Sequence, residues 1–190
     1  KRIGKIFLAN SNNELNELDK IINLANINGI TDLREVNSSE LKILEPNILG
    51  KSAILSPSSG ILDSYDFMQK LLNIFLENEG IFAGSTPFIN AEYSHNNSMW
   101  KVEIGGKDAD IINAKVIINS AGLDSINLSK KKFPKSITPV SNPVKGAYLK
   151  YSGKPIVKHI IYPTFIPGII KERVDATPNI NDELRFGPSI

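Results

Sequence analysis

The chain has 190 residues, of which 41% are hydrophobic and 22% charged, proportions typical of a globular protein that can bury a core. Its net charge of +2 is too small to indicate a nucleic-acid partner, and the absence of cysteine excludes disulfides, thiolate catalysis and cysteine-based metal sites. Because the two histidines, His95 and His159, are far apart in sequence, we predict no metal site. No run is long enough to span a membrane and no secretory signal is visible, so we expect a cytoplasmic protein without a transmembrane segment.

The N-terminal part of the chain alternates short apolar runs with helical patterns. Lys5–Ala9 is predicted to be a strand. Ser11 followed by Glu14 is a capping-box pattern, and apolar residues then recur at helical spacing, which predicts a helix over 12–28. A second, shorter helix is predicted over 37–45 and ends before a proline.

A third helix and a β-rich block follow. Ser52–Ser56 is predicted to be a strand, and Asp63 or Ser64 is predicted to cap an amphipathic helix that ends near 78–80. Further strands are predicted at 81–83, 88–93, 100–104 and 116–118, with a hairpin turn at 95–98.

The run at 116–118 is apolar and β-branched, which predicts a buried strand that ends on Ser120, Ala121 and Gly122. A strand that stops at small residues lets a ligand approach the backbone closely, as nucleotide sites in α/β sheets require. The chain contains neither G-x-G-x-x-G nor G-x-x-x-x-G-K-[ST]. The sequence therefore predicts one wall of a nucleotide site without its phosphate loop, although on spacing alone a simple strand-to-helix turn explains Ala121 and Gly122.

Beyond Ser125, prolines divide the chain into short pieces. Strands are predicted at 144–151, 158–162 and 184–186. The order of helices and strands predicts an α+β fold made of two interleaved domains rather than a tandem pair.

Six segments, taken in order, resemble the D-amino-acid-oxidase-like FAD oxidoreductases, most closely the branch of L-2-hydroxyglutarate oxidases and dehydrogenases. They are GKIFLA with Glu14, LEPNILGKSAILSPSSGILDS, VIINSAGLDS, PVKGAYLKYSG, HIIYP and LRFGPS. The resemblance identifies the chain as the central part of a two-domain enzyme, without the N-terminal dinucleotide-binding motif and the C-terminal flavin-contacting segment. It implies three pieces in chain order. Residues 1–56 form a substrate-domain piece with a mixed or antiparallel sheet, and residues 126–190 form a second one. Between them, residues 57–125 form an FAD-domain piece with a helix, a β-hairpin and the strand that ends at Ala121-Gly122.

The resemblance also implies a cofactor, FAD, and a substrate, a small 2-hydroxy acid or amino acid whose carboxylate basic and tyrosyl groups would hold. The positions that it assigns to the cofactor are Phe88, Ser120, Ala121, Gly122, Gly187 and Pro188. The positions that it assigns to the substrate and to catalysis are Lys145, Tyr148, Tyr162 and Asp175.

Asp175 departs from the family pattern, because it stands where the family has a histidine. A histidine can accept a proton near neutral pH, whereas an aspartate is anionic and repels a carboxylate substrate. The residue at this position therefore argues against the usual activity.

Several alternatives stay open from the sequence. Lys145 can be an ordinary surface lysine, Tyr148 and Tyr162 can be half-buried strand aromatics, and His159 is better explained as structural than as catalytic. For the whole chain, we expect a fragment that is inactive alone, one subunit of a split flavoenzyme completed by a separately encoded N-terminal FAD-binding portion, or a non-catalytic module that binds a small molecule or a protein.

Overall fold

The structure is a computed structural model that describes residues 1–107, 109–131, 138–164 and 174–189. The chain divides into two compact units. The first unit comprises Lys1–Met68 and Val144–Ile190, and the second comprises Gln69–Pro143. Within the described residues, no helix is long and apolar enough to cross a membrane.

The described chain is α+β, as the sequence predicts, and it contains three strands that were not predicted, at 34–37, 110–114 and 175–178. The helices are α1 (Asn12–Ile27), α2 (Ser38–Leu44), α3 (Ser64–Glu77) and α4 (Ser125–Lys130), with a 3-10 turn at Gly122–Asp124. The strands are β1 (Lys5–Ala9), β2 (Arg34–Asn37), β3 (Ser52–Ser56), β4 (Phe88–Ser94), β5 (Met99–Ile104), β6 (Asp110–Ala114), β7 (Ala147–Lys150), β8 (Ile160–Pro163), β9 (Asp175–Pro178) and β10 (Leu184–Ser189).

The first unit is built on a seven-stranded sheet in the order β2-β3-β1-β8-β9-β10-β7. Strands β1 and β8 run parallel, and every other neighbouring pair is antiparallel. The predicted mixed sheet with helices is therefore confirmed. Because β1 and β8 are far apart in sequence, the sheet joins the two ends of the chain.

Helices cover this sheet on both faces, but only at one end. On one face α1 packs its buried Leu18 against Ile54 and Ala9. On the other face Leu41 of α2 packs against a larger apolar cluster that includes Ile6. Among the described elements, the helices contact only β1, β2 and β3 of this sheet, which leaves β8, β9, β10 and β7 without a helical cover.

The start of α1 shows why its position was predictable. The Ser11 Oγ accepts a hydrogen bond from the Glu14 amide (3.4 Å), and a Glu14 carboxylate oxygen accepts one from the Ser11 amide (3.1 Å). This reciprocal pair is the capping box that the sequence predicts, and it satisfies two amides that the first turn leaves without helical partners.

The second unit contains a three-stranded antiparallel sheet in the order β4-β5-β6. The predicted turn at 95–98 connects β4 to β5, and Tyr93 lies opposite Trp100 across this hairpin. The two rings contact each other edge to face, with centroids 5.3 Å apart, which fixes the register of the hairpin.

Two predicted strands differ from the structure. Residues 81–83 and 116–118 have no strand partner in the part of the chain that the structure describes. Val116 and Ile118 are 72% and 83% exposed, and Ile81 is 88% exposed. A β-branched run becomes a buried strand only where a neighbouring strand supplies hydrogen bonds and a packing surface, and no described segment does so here.

Candidate functional site

Four of the predicted site residues lie side by side across four neighbouring strands. Ile161 of β8 pairs with Ala176 of β9, so Tyr162 lies next to Asp175, and Asp175 in turn pairs with Gly187 of β10. A Cβ built on Gly187 would lie 2.7 Å from Cδ1 of Tyr148. We call these four residues the central row: Tyr162, Asp175, Gly187 and Tyr148. They share one face of the sheet, in the part that no described helix covers.

Gly187 lets Tyr148 lie close to the sheet. Its φ is +150°, and a Cβ at this position would also lie 2.7 Å from the carbonyl oxygen of Ala147. Any larger residue would displace the Tyr148 ring. At the same edge, a Cβ on Gly146 would lie 2.8 Å from Cβ of Pro188, so the segment that carries the exposed Lys145 runs beside Pro188.

The Tyr162 ring is held by its neighbours at the other end of the row. Its centroid lies 6.1 Å from that of Phe7 in an edge-to-face arrangement. The Lys5 Nζ lies 4.2 Å from the Tyr162 centroid and 5.5 Å from that of Phe7. A cation over an aromatic face is attracted to it, so Lys5 helps to fix the orientation of the ring.

Asp175 lies in the middle of the row and is only 8% exposed. A buried carboxylate between two tyrosines repels a second carboxylate at the same point and favours a hydroxyl or a protonated amine. The arrangement therefore favours a hydrogen-bond donor rather than an anion beside Asp175.

A second row lies two residues further along the strands on the same face. Arg185 pairs with Thr177 on one side and with Lys150 on the other. Lys150 donates to the Oε1 of Glu183, and Asn179 Nδ2 donates to its Oε2 (3.0 Å). These contacts hold the pKa of Glu183 below its ordinary value, chiefly through the hydrogen bond from Lys150 and then that from Asn179, with smaller contributions from the charges of Lys150 and Arg185.

The pKa of Glu183 tests whether the hydrogen bond from Lys150 is the main contact of this carboxylate in the second row. Replacing Lys150 with methionine is expected to raise that pKa towards the ordinary value of 4.5, because the largest stabilising hydrogen bond is lost. Since the folded pKa lies below the unfolded one, the stabilisation by Glu183 is complete above about pH 4.5 and is lost as the pH falls through the folded value. NMR titration of the Glu183 carboxyl measures the shift. The control is Lys154→Met, which removes another exposed lysine from the same unit; an equal change in both variants contradicts the assignment.

A buried polar pair lies on the opposite face of the sheet. Glu45 is fully buried at the end of α2, and its Oε1 accepts from the amides of Lys158 and His159 and lies 2.7 Å from Nδ1 of His159. Its Oε2 has no partner among the described residues. His159 thus ties α2 to the start of β8, away from the central row, in agreement with the structural role predicted for it.

The second unit contains a cavity of about 450 Å³. Phe88 and Trp100 line it on the sheet side, and Ile117, Ser120 and Ala121 line it from the segment before the 3-10 turn. Three predicted cofactor residues, Phe88, Ser120 and Ala121, therefore meet at one cavity, while Gly122 follows directly with a φ of +57° and begins the turn. The other two, Gly187 and Pro188, belong to the first unit.

Asn119 shapes this turn, although it is not among the predicted site residues. Its Nδ2 donates to the carbonyl of Ser125 (2.8 Å) and to Oγ of Ser129 (3.1 Å). Its Oδ1 accepts from the amide of Ala121 (3.3 Å). An asparagine two residues before a turn commonly bonds to the backbone in this way, and that local signal was present in the sequence.

The cavity suits the base of a dinucleotide better than its phosphates. Its walls are mainly aromatic and aliphatic, with a serine hydroxyl at the turn, which is the usual chemistry of a site for a planar ring. A pyrophosphate needs a cluster of backbone amides at a helix N-terminus, and the 190 residues contain no glycine-rich loop to supply it. The residues present therefore fit one end of FAD.

Comparisons with known proteins agree with these observations. The family model described as FAD dependent oxidoreductase matches residues 1–190. The mitochondrial L-2-hydroxyglutarate dehydrogenase of Arabidopsis thaliana is 26% identical over 220 residues, and the L-2-hydroxyglutarate dehydrogenase of Escherichia coli K12 is 27% identical over 190 residues. These alignments cover 100% and 98% of this chain but only 45% and 43% of the relatives. The chain thus spans less than half the length of these proteins.

Solved structures show the same fold at lower identity. The dithionite-reduced L-alpha-glycerophosphate oxidase of Mycoplasma pneumoniae, with FAD bound, has a TM-score of 0.77 at 16% identity, over 98% of this chain and 49% of that one. Glycine oxidase from Geobacillus kaustophilus has a TM-score of 0.70 at 12% identity, over 100% of this chain and 48% of that one. The family model matches the entire sequence and the fold agrees with it, so the chain belongs to the family of FAD-dependent oxidoreductases.

Proposed function

We propose that these residues form the substrate-binding sheet and part of the FAD-binding region of an oxidoreductase that acts on a small 2-hydroxy acid or amino acid. The observation that carries the proposal is the central row, where two tyrosines flank a buried aspartate in a part of the sheet that no described helix covers. The choice of a hydroxy acid is supported by the relatives that are named L-2-hydroxyglutarate dehydrogenase. FAD, when bound, supplies the two-electron acceptor.

In this proposal, the charges of the site favour one orientation of the substrate. Asp175 disfavours a carboxylate in the middle of the row and accepts a hydrogen bond from a hydroxyl or amino group. The substrate carboxylate then lies towards Tyr148 and Lys145, where a phenol and an ammonium donate to it. Tyr162 closes the other end of the row, with its ring held against Phe7.

The FAD phosphates are held, in this proposal, by sequence outside the 190 residues, on the same polypeptide or on a separately encoded one. Two observations support it. The apolar run at 116–118 has no strand partner among the described residues. In addition, α3 buries no residue: Phe67, Leu71, Ile74 and Phe75 are 45% to 54% exposed, which is unusual for the apolar face of a helix.

We expect the purified 190-residue chain to be colourless and to bind no stoichiometric FAD. Co-expression with a polypeptide that carries a G-x-G-x-x-G dinucleotide-binding unit of this family is expected to yield a yellow complex. Flavin absorbance and flavin-to-protein stoichiometry measure both outcomes.

A matched variant makes this test specific. Val116→Asp places a charge in the unpartnered run and is expected to prevent assembly, whereas Ile43→Asp, at an exposed apolar position of the first unit, is not. A yellow, stoichiometric flavoprotein from the chain alone contradicts the proposal, and so does a complex that tolerates Val116→Asp.

A non-catalytic binding module is the second candidate, and the aspartate at position 175 favours it. A sheet that binds 2-hydroxy acids without flavin would give a heat of binding in calorimetry with the chain alone. A flat titration rejects this candidate. A cytoplasmic location stays a prediction, since some relatives are named as mitochondrial enzymes.

A further inference from the structure

We propose that Asn28 is a site of spontaneous covalent modification, where deamidation loosens the C-terminal end of α1. Asn28-Gly29 is the only asparagine-glycine pair in the sequence. Both residues are exposed, so water and hydroxide reach the two groups that react: the side-chain amide of Asn28 and the backbone amide of Gly29. The reaction needs neither FAD nor substrate.

The chemistry is an intramolecular attack by the backbone. The deprotonated nitrogen of Gly29 attacks Cγ of Asn28, a C–N bond closes a cyclic succinimide, and the side-chain nitrogen leaves as ammonia. The proton that Gly29 loses to the solvent balances the one that the leaving nitrogen gains. Water then opens the ring at either carbonyl and leaves aspartate or isoaspartate. Glycine favours this attack because it has no side chain beside the nitrogen.

The last turn of α1 decides when the attack occurs. In the closed turn the Gly29 amide donates to the carbonyl of Asn26 (3.0 Å), and Asn28 Nδ2 donates to that of Leu24 (2.8 Å). Both reacting groups are thus engaged until the turn opens. No basic residue lies in this turn to hold its carbonyl groups, and helix ends open readily. A Cβ built on Gly29 would meet no atom within 4 Å beyond its chain neighbours, so the opened turn has room for the ring.

The product destabilises the turn in which it forms. The Asn28 amide donates to the carbonyl of Leu24, whereas a carboxylate only accepts and repels that oxygen. A negative charge is also unfavourable at the C-terminal end of a helix. Isoaspartate lengthens the backbone and shifts Gly29 from its position. The modified end lies beside the sheet, because Asn28 and Phe7 of β1 line one cavity of about 480 Å³ in the first unit.

The end of α3 is a matched control within the same chain. Asn78 Nδ2 donates to the carbonyl four residues earlier (2.7 Å), as the Asn28 side chain does (2.8 Å). The next residue has a positive φ in both turns, +63° at Glu79 and +74° at Gly29. Because α3 buries no residue, its end opens at least as readily as that of α1. A faster reaction at Asn28 is then due to the glycine.

The test is peptide mapping by mass spectrometry after incubation of the purified chain at mildly alkaline pH. We expect Asn28 to convert about tenfold faster than Asn78, or faster still, since only glycine leaves the attacking nitrogen unhindered. The product is expected to include isoaspartate, which direct hydrolysis of the side chain does not form. Glu79→Gly is expected to bring Asn78 to the rate of Asn28, and Gly29→Glu to slow Asn28 to that of Asn78.

A second measurement tests the loosening of α1. The Ile30 amide donates to the carbonyl of Ala25 (2.9 Å) and reports on the closed turn. Asn28→Asp introduces the charge directly and is expected to speed hydrogen exchange at Ile30 about two- to fivefold, as a charge of the wrong sign at a helix end requires. Asn13→Asp places the same charge in the first turn of α1 and is expected to leave this exchange unchanged.

Any of three results overturns the inference. Asn28 converts no faster than Asn78, the product contains no isoaspartate, or Asn28→Asp and Asn13→Asp give the same exchange at Ile30. Flavin takes part in none of these measurements, so their outcome is independent of the proposed function.

Discussion

Replacing Glu45 with alanine is expected to lower the free energy of unfolding of the first unit by about 3–5 kcal/mol, the usual cost of breaking a buried polar pair by removing one partner. One carboxylate oxygen of Glu45 accepts hydrogen bonds from the amides of Lys158 and His159, each at 2.7 Å, and lies 2.7 Å from Nδ1 of the His159 ring. Alanine removes the hydrogen-bond partner of all three groups, and the fully buried position of Glu45 keeps water from replacing it.

The location of the pair adds to this cost. His159 precedes β8, which lies in the middle of the seven-stranded sheet, and Glu45 follows α2, which covers β2 and β3. The hydrogen bonds thus connect residues 114 positions apart in sequence. Their loss frees the start of β8, the strand that carries Tyr162.

Amide hydrogen exchange measures the loss of stability in the first unit separately from the second unit. The Ile160 amide donates to the carbonyl of Gly4 and reports on opening of the sheet at β8. Glu40→Ala is the control, because the Arg34–Glu40 pair is exposed and is worth less than about 1 kcal/mol. If Glu45→Ala loses no more protection at Ile160 than Glu40→Ala does, the pair has no structural role.

The contacts of Glu45 could not be predicted from the sequence, because they join distant parts of the chain. The capping box of Ser11 and Glu14 is predictable because its partners are three residues apart and the pattern is sufficient to define the contact. The partner of Glu45 lies in another part of the chain, and no local pattern identifies it. The lone histidine at 159 was correctly expected to be structural, but its partner was not identified.

The central row was predictable only in part, for a similar reason. The family resemblance names Tyr148, Tyr162, Asp175 and Gly187, but it takes the pairing of β7, β8, β9 and β10 to bring them into one line. Arg185 was missed although the alternation along β10 puts it on the face of Gly187. Before the strand register is known, that alternation does not reveal which face carries the site.

At 116–118 the sequence predicts a strand that the structure does not contain. Its β-branched composition predicts a buried strand, yet strand formation depends on a neighbour, and the described residues provide none. The turn that follows, with Ser120 and Ala121 at the cavity, forms as predicted because Asn119 holds it locally. Local hydrogen bonds were therefore a better guide here than β propensity.

Replacing Ala121 with tryptophan is expected to weaken FAD binding by the flavin-containing complex about 100-fold, which corresponds to about 2.7 kcal/mol. Ala121 lines the cavity in the second unit together with Phe88 and Ile117, and an indole at this position takes up volume that the proposed function assigns to one end of FAD. The added ring enters an existing cavity, so it does not have to displace packed side chains.

Ala109→Trp is the matched control, because Ala109 is exposed near the β5–β6 turn and does not line the cavity. Both variants are expected to assemble with the polypeptide that carries the dinucleotide-binding unit, as judged by size-exclusion chromatography, and only Ala121→Trp is expected to lose flavin. In the proposed assembly, Val116 and the exposed apolar residues of α3 contact the second polypeptide, whereas Ala121 lines the cavity proposed to hold one end of FAD. An Ala121→Trp complex that titrates with FAD like Ala109→Trp would mean that the cavity is not part of the cofactor site, whatever the family of the chain.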